Sequence, residues 1–237
     1  MQATAFLIAV FEFVLLIFSL SFHECAHAWT ASRLGDQTAR LQGRITLNPI
    51  YHVDPIGTLI FPALMIFGPF LGMGMFGGML VGWAKPTPVI SRNFRKIKRD
   101  ENLVTLAGPV SNLVIALAAL VVLIVTSVAV PGGRLVVMST FAGAISLQAP
   151  SGTQAIVLLC VLAIQINLSL MFFNLLPIPP LDGSHVLRNM LPYNAVQAYD
   201  RMGMWVSYLL MIFVGGFVLR LLLGPSLAAF YFVLRHV

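Results

Sequence analysis

His23, Glu24 and His27 stand in the order HECAH, and the run before them, LIAVFEFVLLIFSLSF, is charged only at Glu12. On an α-helix, positions four apart differ by about 40° in azimuth and about 6 Å in rise, so both imidazoles can reach one metal ion. Glu24, rotated about 100° from His23, can reach a metal-activated water without ligating. That is the zincin arrangement, in which the metal supplies the electrophile and the glutamate the general base. With five histidines in 237 residues, a chance HExxH has a probability of roughly one in a thousand.

The rest of the composition says where this chemistry takes place. Hydrophobic residues make up 59% of the chain and charged residues 9%, and the mean hydropathy is +0.92. A globular domain carries about 25% charged residues. Several runs reach the roughly 20 apolar residues that cross a bilayer, so the chain reads as an α-helical polytopic membrane protein. The formal charge of +6 does not point to nucleic acid, because the basic residues gather in short connections between apolar runs. Cys25 and Cys160 both lie in apolar stretches, which argues for small packing residues rather than a disulfide.

Spans are expected at 3–33, 102–130, 153–176 and 203–223, with the apolar tail 225–237 left open. Residues 34–53 alternate polar and β-branched types around Gly43, which suggests short strands or an irregular loop. Asp54 before Pro55 is a helix N-cap and first-turn pair. Residues 56–83 carry no charge, but Gly68, Pro69, Gly72 and Gly74 favour two halves joined by a break, a re-entrant element. SRNFRKIKRDE is expected to be a charged loop.

Eleven of the 14 basic residues fall in three connections: Arg33, Arg40 and Arg44; Lys85, Arg92, Arg95, Lys96, Lys98 and Arg99; Arg188 and Arg201. The loop 131–152 has only Arg134. The three rich connections should be cytoplasmic and the N-terminus outside. HECAH then lies near the cytoplasmic end of the first span.

Catalytic zinc takes three protein ligands and keeps one position open. Candidates for the third at suitable depth are His52, Asp54 and Asp182. Asp182 arrives near the depth of HECAH, after Pro177, Pro179 and Pro180 unwind the preceding helix and before Gly183, which permits an unusual backbone angle. Its bland reading is an N-cap for a helix starting near Ser184.

HECAH ending a span, LAGPVSN opening another and NLLPIPPLDG closing a third resemble the site-2 protease family of intramembrane zinc metalloproteases. GRITLNPIYHVDPIGTLIFPAL and GWAKPTPV resemble its compact prokaryotic members, and the likeness covers about residues 10–190. It implies a three-helix catalytic core with flanking spans, and one Zn2+ per chain bound by His23, His27 and Asp182. Glu24 is then the general base and Asn174 binds the substrate carbonyl or stabilises its oxyanion. Residues 40–52 and 82–89 would be membrane-associated β elements on which a substrate pairs as an added strand. A single domain over 1–237 is expected, with its core at about 5–190, C-terminal span or spans at about 200–237, and no PDZ or CBS domain of the kind many relatives carry. The implied partners are a transmembrane protein substrate and the lipid bilayer. The implied setting is the cell (inner) membrane, with the active site near the cytoplasmic side.

Asn112 reads as a helix-packing residue beside Gly108, with support of the site as the alternative. His52 reads as a loop hydrogen-bonding residue. Glu12 is expected to be neutral or to pair with Gln165 or Asn167. Outside proteolysis, the chain could be a membrane binding protein or chaperone that keeps the fold, or a metal transporter, although a transporter needs a continuous polar path and the polar residues here form one cluster.

Overall fold

The structure, a computed structural model, describes residues 2–72, 84–143, 152–201 and 203–237. Ten α-helices occur among them: α1 Gln2–Leu34, α2 Thr38–Leu41, α3 Phe61–Phe67, α4 Ile97–Ala129, α5 Gly133–Phe141, α6 Gly152–Asn174, α7 Asp182–Met190, α8 Tyr193–Asp200, α9 Met204–Leu210 and α10 Gly216–His236. Four stretches are long and apolar enough to cross a bilayer: Ala5–Leu34, Ile97–Ala129, Gly152–Asn174 and Phe213–His236. The chain is a polytopic helical membrane protein.

Helices α1, α4 and α6 pack together as the expected three-helix core. In α4 the two faces divide by chemistry. Val110, Val114, Leu117, Val121, Val125 and Val128 recur every three or four residues and are all exposed, the apolar stripe of a helix whose outer solvent is lipid. The inner face carries the buried Gly108, Ser111, Asn112, Ala116 and Leu123. Small residues on this face let the backbones of α1 and α4 approach closely: Gly108 faces His23 and His27, and fully buried Ala31 packs with Val104. Ala116, Leu123, Val157, Val161, Ile164 and Leu168 fill the contact between α4 and α6.

The first three span expectations hold within a few residues. IKRDE is not a loop but the start of α4, where buried Asp100 accepts a hydrogen bond from the Lys96 N–H at 2.9 Å. The fourth expectation shifts. A wider turn over Met211–Gly215 joins α9 to α10, and α10 continues through Pro225 to His236, so the tail is part of the last span. Residues 131–152 contain α5, whose Val137 is fully buried against the core.

Asp54 caps as expected, accepting from Ile56 N–H at 3.0 Å and Gly57 N–H at 2.7 Å. The helical stretch it opens ends at Gly72, φ 78°. The later part of the re-entrant expectation, residues 73–83, lies outside the described residues. The β expectation is corrected: no strand occurs among the described residues of 40–52 and 82–89. Residues 40–52 form turns, with Asn48 capping a 3-10 turn at Pro49–Tyr51, and 84–90 has no regular secondary structure, since Pro86 and Pro88 have no N–H to give a ladder. Lys85 joins the two stretches twice: its N–H donates to the His52 carbonyl at 2.9 Å and its carbonyl accepts from the Arg44 guanidinium at 3.5 Å.

Both cysteines are free. Asp36, just past α1, ties that helix end to residues 90–93. It accepts from Thr38 O–H (2.6 Å), Ile90 N–H (2.7 Å) and the Asn93 amide (2.8 Å). Burial pushes its carboxyl up, but these donors outweigh burial and hold it below the usual carboxylate range. Arg188 grips Asp200 with two bonds of 2.9 Å and so fastens α7 to α8.

Candidate metal centre

His23 and His27 fall one turn apart near the end of α1, both buried. Asp182 is the first residue of α7, and its side chain does not cap that helix; the N-cap reading is therefore overturned. The carboxylate instead faces the histidines. Asp182 Oδ2 lies 3.2 Å from His23 Nε2 and 3.4 Å from His27 Nε2, and the two Nε2 atoms are 3.0 Å apart.

The hydrogen bonds behind the imidazoles fix their tautomers. The Ala163 carbonyl can only accept, so Asn167 Nδ2 donates to it and to Ser19 Oγ, both at 2.9 Å. Asn167 Oδ1 therefore accepts from Asn112 Nδ2 at 2.9 Å, and Asn112 Oδ1 accepts from His23 Nδ1 at 2.7 Å. His27 Nδ1 likewise donates to the Val104 carbonyl at 2.7 Å. With both protons on Nδ1, each neutral imidazole offers a bare Nε2 lone pair. In that neutral form two nitrogen lone pairs and a carboxylate oxygen converge, and Asp182 Oδ2 is buried without a hydrogen-bond donor. Such a set needs a cation.

The dimensions suit zinc. Bonds of about 2.0–2.1 Å in tetrahedral geometry set ligands about 3.3 Å apart, and the observed separations are 3.0, 3.2 and 3.4 Å. Gly108 keeps the space clear: a Cβ there would overlap His27 Nε2 and lie 2.5 Å from His23 Cε1 and Nε2. Gly183 serves by closeness, not by an unusual angle. It is absent from the glycines with positive φ, and a Cβ on it would lie 2.6 Å from the Leu176 carbonyl oxygen and overlap that of Leu175. The end of α6 thus presses on the start of α7, which sets Asp182 at its depth.

Glu24 is held from another direction. Its Oε2 accepts from Thr87 N–H at 3.0 Å and Thr87 O–H at 2.8 Å. Thr87 escapes a sequence reading aimed at ligands and bases, although one signal was present: between Pro86 and Pro88 it has the only backbone N–H. Asn112 is the other residue whose part was under-read; it is the direct acceptor for His23 and not packing alone.

The structure thus brings together His23, His27 and Asp182. Asn174, at the last turn of α6, donates its amide to the Leu170 carbonyl at 2.9 Å. His52 is buried and bonded through Nε2 to the Thr46 carbonyl at 2.8 Å, the loop role expected. Asp54 is occupied as a cap. Asn167 is committed to Asn112, Ser19 and Ala163, so the pairing with Glu12 is not formed.

Residues 11–218 match the sequence profile described as peptidase family M50. The chain is 37% identical over 179 residues to "Putative zinc metalloprotease YwhC" of Bacillus subtilis (strain 168), an alignment covering 76% of this chain and 68% of that protein. It is 36% identical over 104 residues to "Putative zinc metalloprotease Rip2" of Mycolicibacterium smegmatis, covering 44% of this chain and 36% of the relative. A protein of the same printed name from Mycobacterium tuberculosis (strain ATCC 25618 / H37Rv) is 35% identical over 102 residues, with 43% and 35% covered. This chain spans about a third of the two Rip2 proteins. No solved structure matches it.

Proposed function

The chain belongs to peptidase family M50, and from that premise we propose that it is a zinc endopeptidase hydrolysing a peptide bond in or near a transmembrane segment of a membrane protein. The observation that carries this reading is the convergence of two bare imidazole nitrogens and one carboxylate oxygen at 3.0–3.4 Å, next in sequence to Glu24.

His23, His27 and Asp182 would hold the zinc. When bound, zinc makes water acidic near neutral pH and polarises a scissile carbonyl. Glu24 takes the proton from the attacking water on its carboxylate and delivers it to the leaving amine nitrogen. The Thr87 clamp engages Oε2 and leaves Oε1 outside it for this transfer. Asn112 and the Val104 carbonyl hold the imidazole planes and tautomers, an outer-shell role. Asn174 donates to the developing oxyanion after its amide turns away from the Leu170 carbonyl.

A substrate helix has its carbonyls bonded internally and must unwind before attack. The distribution of Lys and Arg supports an N-terminus outside and a centre near the cytoplasmic side, and the resemblance to compact prokaryotic members of the family supports a place in the cell membrane.

The test is turnover of a quenched-fluorescent transmembrane peptide with a helix-breaking Asn-Pro-Gly centre, in dodecyl maltoside. Glu24→Gln should keep zinc and lose turnover by about 10²–10⁴-fold. Unchanged turnover in that variant would sink the proposal.

A further inference from the structure

Away from the metal centre, the end of α1 and the start of α4 border an open cleft of about 260 Å³, lined by Arg33, Leu34, Arg95, Lys96, Arg99 and Asp100. That is many times the space one water needs and admits a phosphate group. Four cationic side chains from two segments some 60 residues apart line one cavity. Orientation in a membrane requires only that positive charge lie on one side; it does not require the charges to converge.

Among the described residues, none of the four cations has an ion pair. The one acid in the cleft, Asp100, is buried and already accepts the Lys96 N–H. The Arg33 guanidinium stands 6.0 Å over the ring of Trp29, which is itself exposed one turn earlier on α1. Exposed Ile97 and Leu103 flank the other side on α4. An exposed tryptophan and apolar residues beside unpaired arginines mark the headgroup level of a membrane, where a lipid phosphate is within reach of the cleft.

We propose that this cleft binds a phosphate group, with the headgroup of an anionic phospholipid and a free phosphate as its two sources. The bound anion would bridge α1 and α4 just beyond the point where His27 donates to the Val104 carbonyl. It would therefore brace the helix pair that carries the metal centre, without being part of it.

The test uses the full chain in dodecyl maltoside and reads the thermal unfolding midpoint against concentration of dioctanoyl phosphatidylglycerol, dioctanoyl phosphatidylcholine or inorganic phosphate. Phosphatidylglycerol should raise the midpoint and phosphatidylcholine should not. Each cation near a membrane surface contributes about 1 kcal/mol, or about fivefold in affinity, so Arg95→Gln/Arg99→Gln should weaken binding about 25-fold and the milder Arg33→Gln about fivefold. The pair Arg40→Gln/Arg201→Gln removes the same charge from exposed residues outside the cleft and should change affinity less than twofold. If inorganic phosphate raises the midpoint as phosphatidylglycerol does, and Arg33→Gln weakens it, the site stands with a free phosphate as its ligand. Equal losses in the cleft pair and the control pair would overturn the proposal, as would phosphatidylglycerol acting no better than phosphatidylcholine.

Discussion

Replacing Gly108 by alanine adds one methyl group at the point where α4 meets the two histidines. That methyl would overlap His27 Nε2 and stand 2.5 Å from His23 Nε2, whereas ordinary contact begins at 3.4 Å. Relief requires a displacement of about 0.9 Å or more. The backbone of α4 can supply it only by leaving α1, which stretches the 2.7 Å bonds from His27 to the Val104 carbonyl and from His23 to Asn112. Alternatively the imidazoles rotate, and the lone pairs no longer converge with Asp182. Overpacking of this kind costs about 1–3 kcal/mol in stability, and disturbing one outer-shell partner costs about 10–100-fold in metal affinity. With both partners disturbed, zinc affinity should fall by at least about 100-fold. Zinc competition against a chelating dye, followed by elemental analysis of the desalted protein, measures this directly. Gly216→Ala is the control, because a Cβ there meets nothing within 4 Å, and it should retain zinc fully. A Gly108→Ala protein that binds zinc as tightly as wild type would refute the placement of α4 against the site.

Other expectations follow from the same geometry. Asn112→Leu removes the acceptor for His23 Nδ1 and strands Asn167, so zinc affinity should drop about 10–100-fold while the chain stays in its detergent micelle as a folded species. Asn174→Ala should keep its zinc and lower kcat about 10²–10³-fold if its amide serves the oxyanion; an unchanged kcat would confine it to its bond with Leu170. Because the Asp36 carboxyl is held below its ordinary value in the folded chain, its contribution is complete above the unfolded value of about 3.9 and fades as pH falls through the folded one. The thermal midpoint of wild type should thus decline more steeply below about pH 4 than that of Asp36→Asn, which lacks the contribution at every pH.

How much of this was legible in the sequence depended on the length scale of the signal. The first three spans and the HECAH pair follow from local periodicity, since hydrophobic length and the helical turn act within one segment. Asp182 was one of three open candidates by residue type; span topology and the family resemblance favoured it, and the pressure of Gly183 on the Leu175 and Leu176 carbonyls shows how it reaches its depth. The start of α4 was misread because IKRDE looks like a loop by charge, although it lies beyond the apolar stretch where exposed charge suits a helix end. The β elements failed for a related reason: extended backbone becomes a strand only with a partner, and the two prolines of KPTPV remove its donors. Thr87 and Asn112 carry hydrogen bonds to Glu24 and His23 from 63 and 89 positions away. Such contacts depend on helix docking, which no local pattern encodes.

The central claim is that zinc sits on His23, His27 and Asp182. X-ray absorption at the zinc edge of the purified chain tests it most directly. The account predicts two imidazole nitrogens and carboxylate oxygen at about 2.0–2.2 Å, and a spectrum that loses a protein oxygen in Asp182→Ala. A spectrum without imidazole scattering, or one identical in wild type and Asp182→Ala at full zinc occupancy, would contradict it.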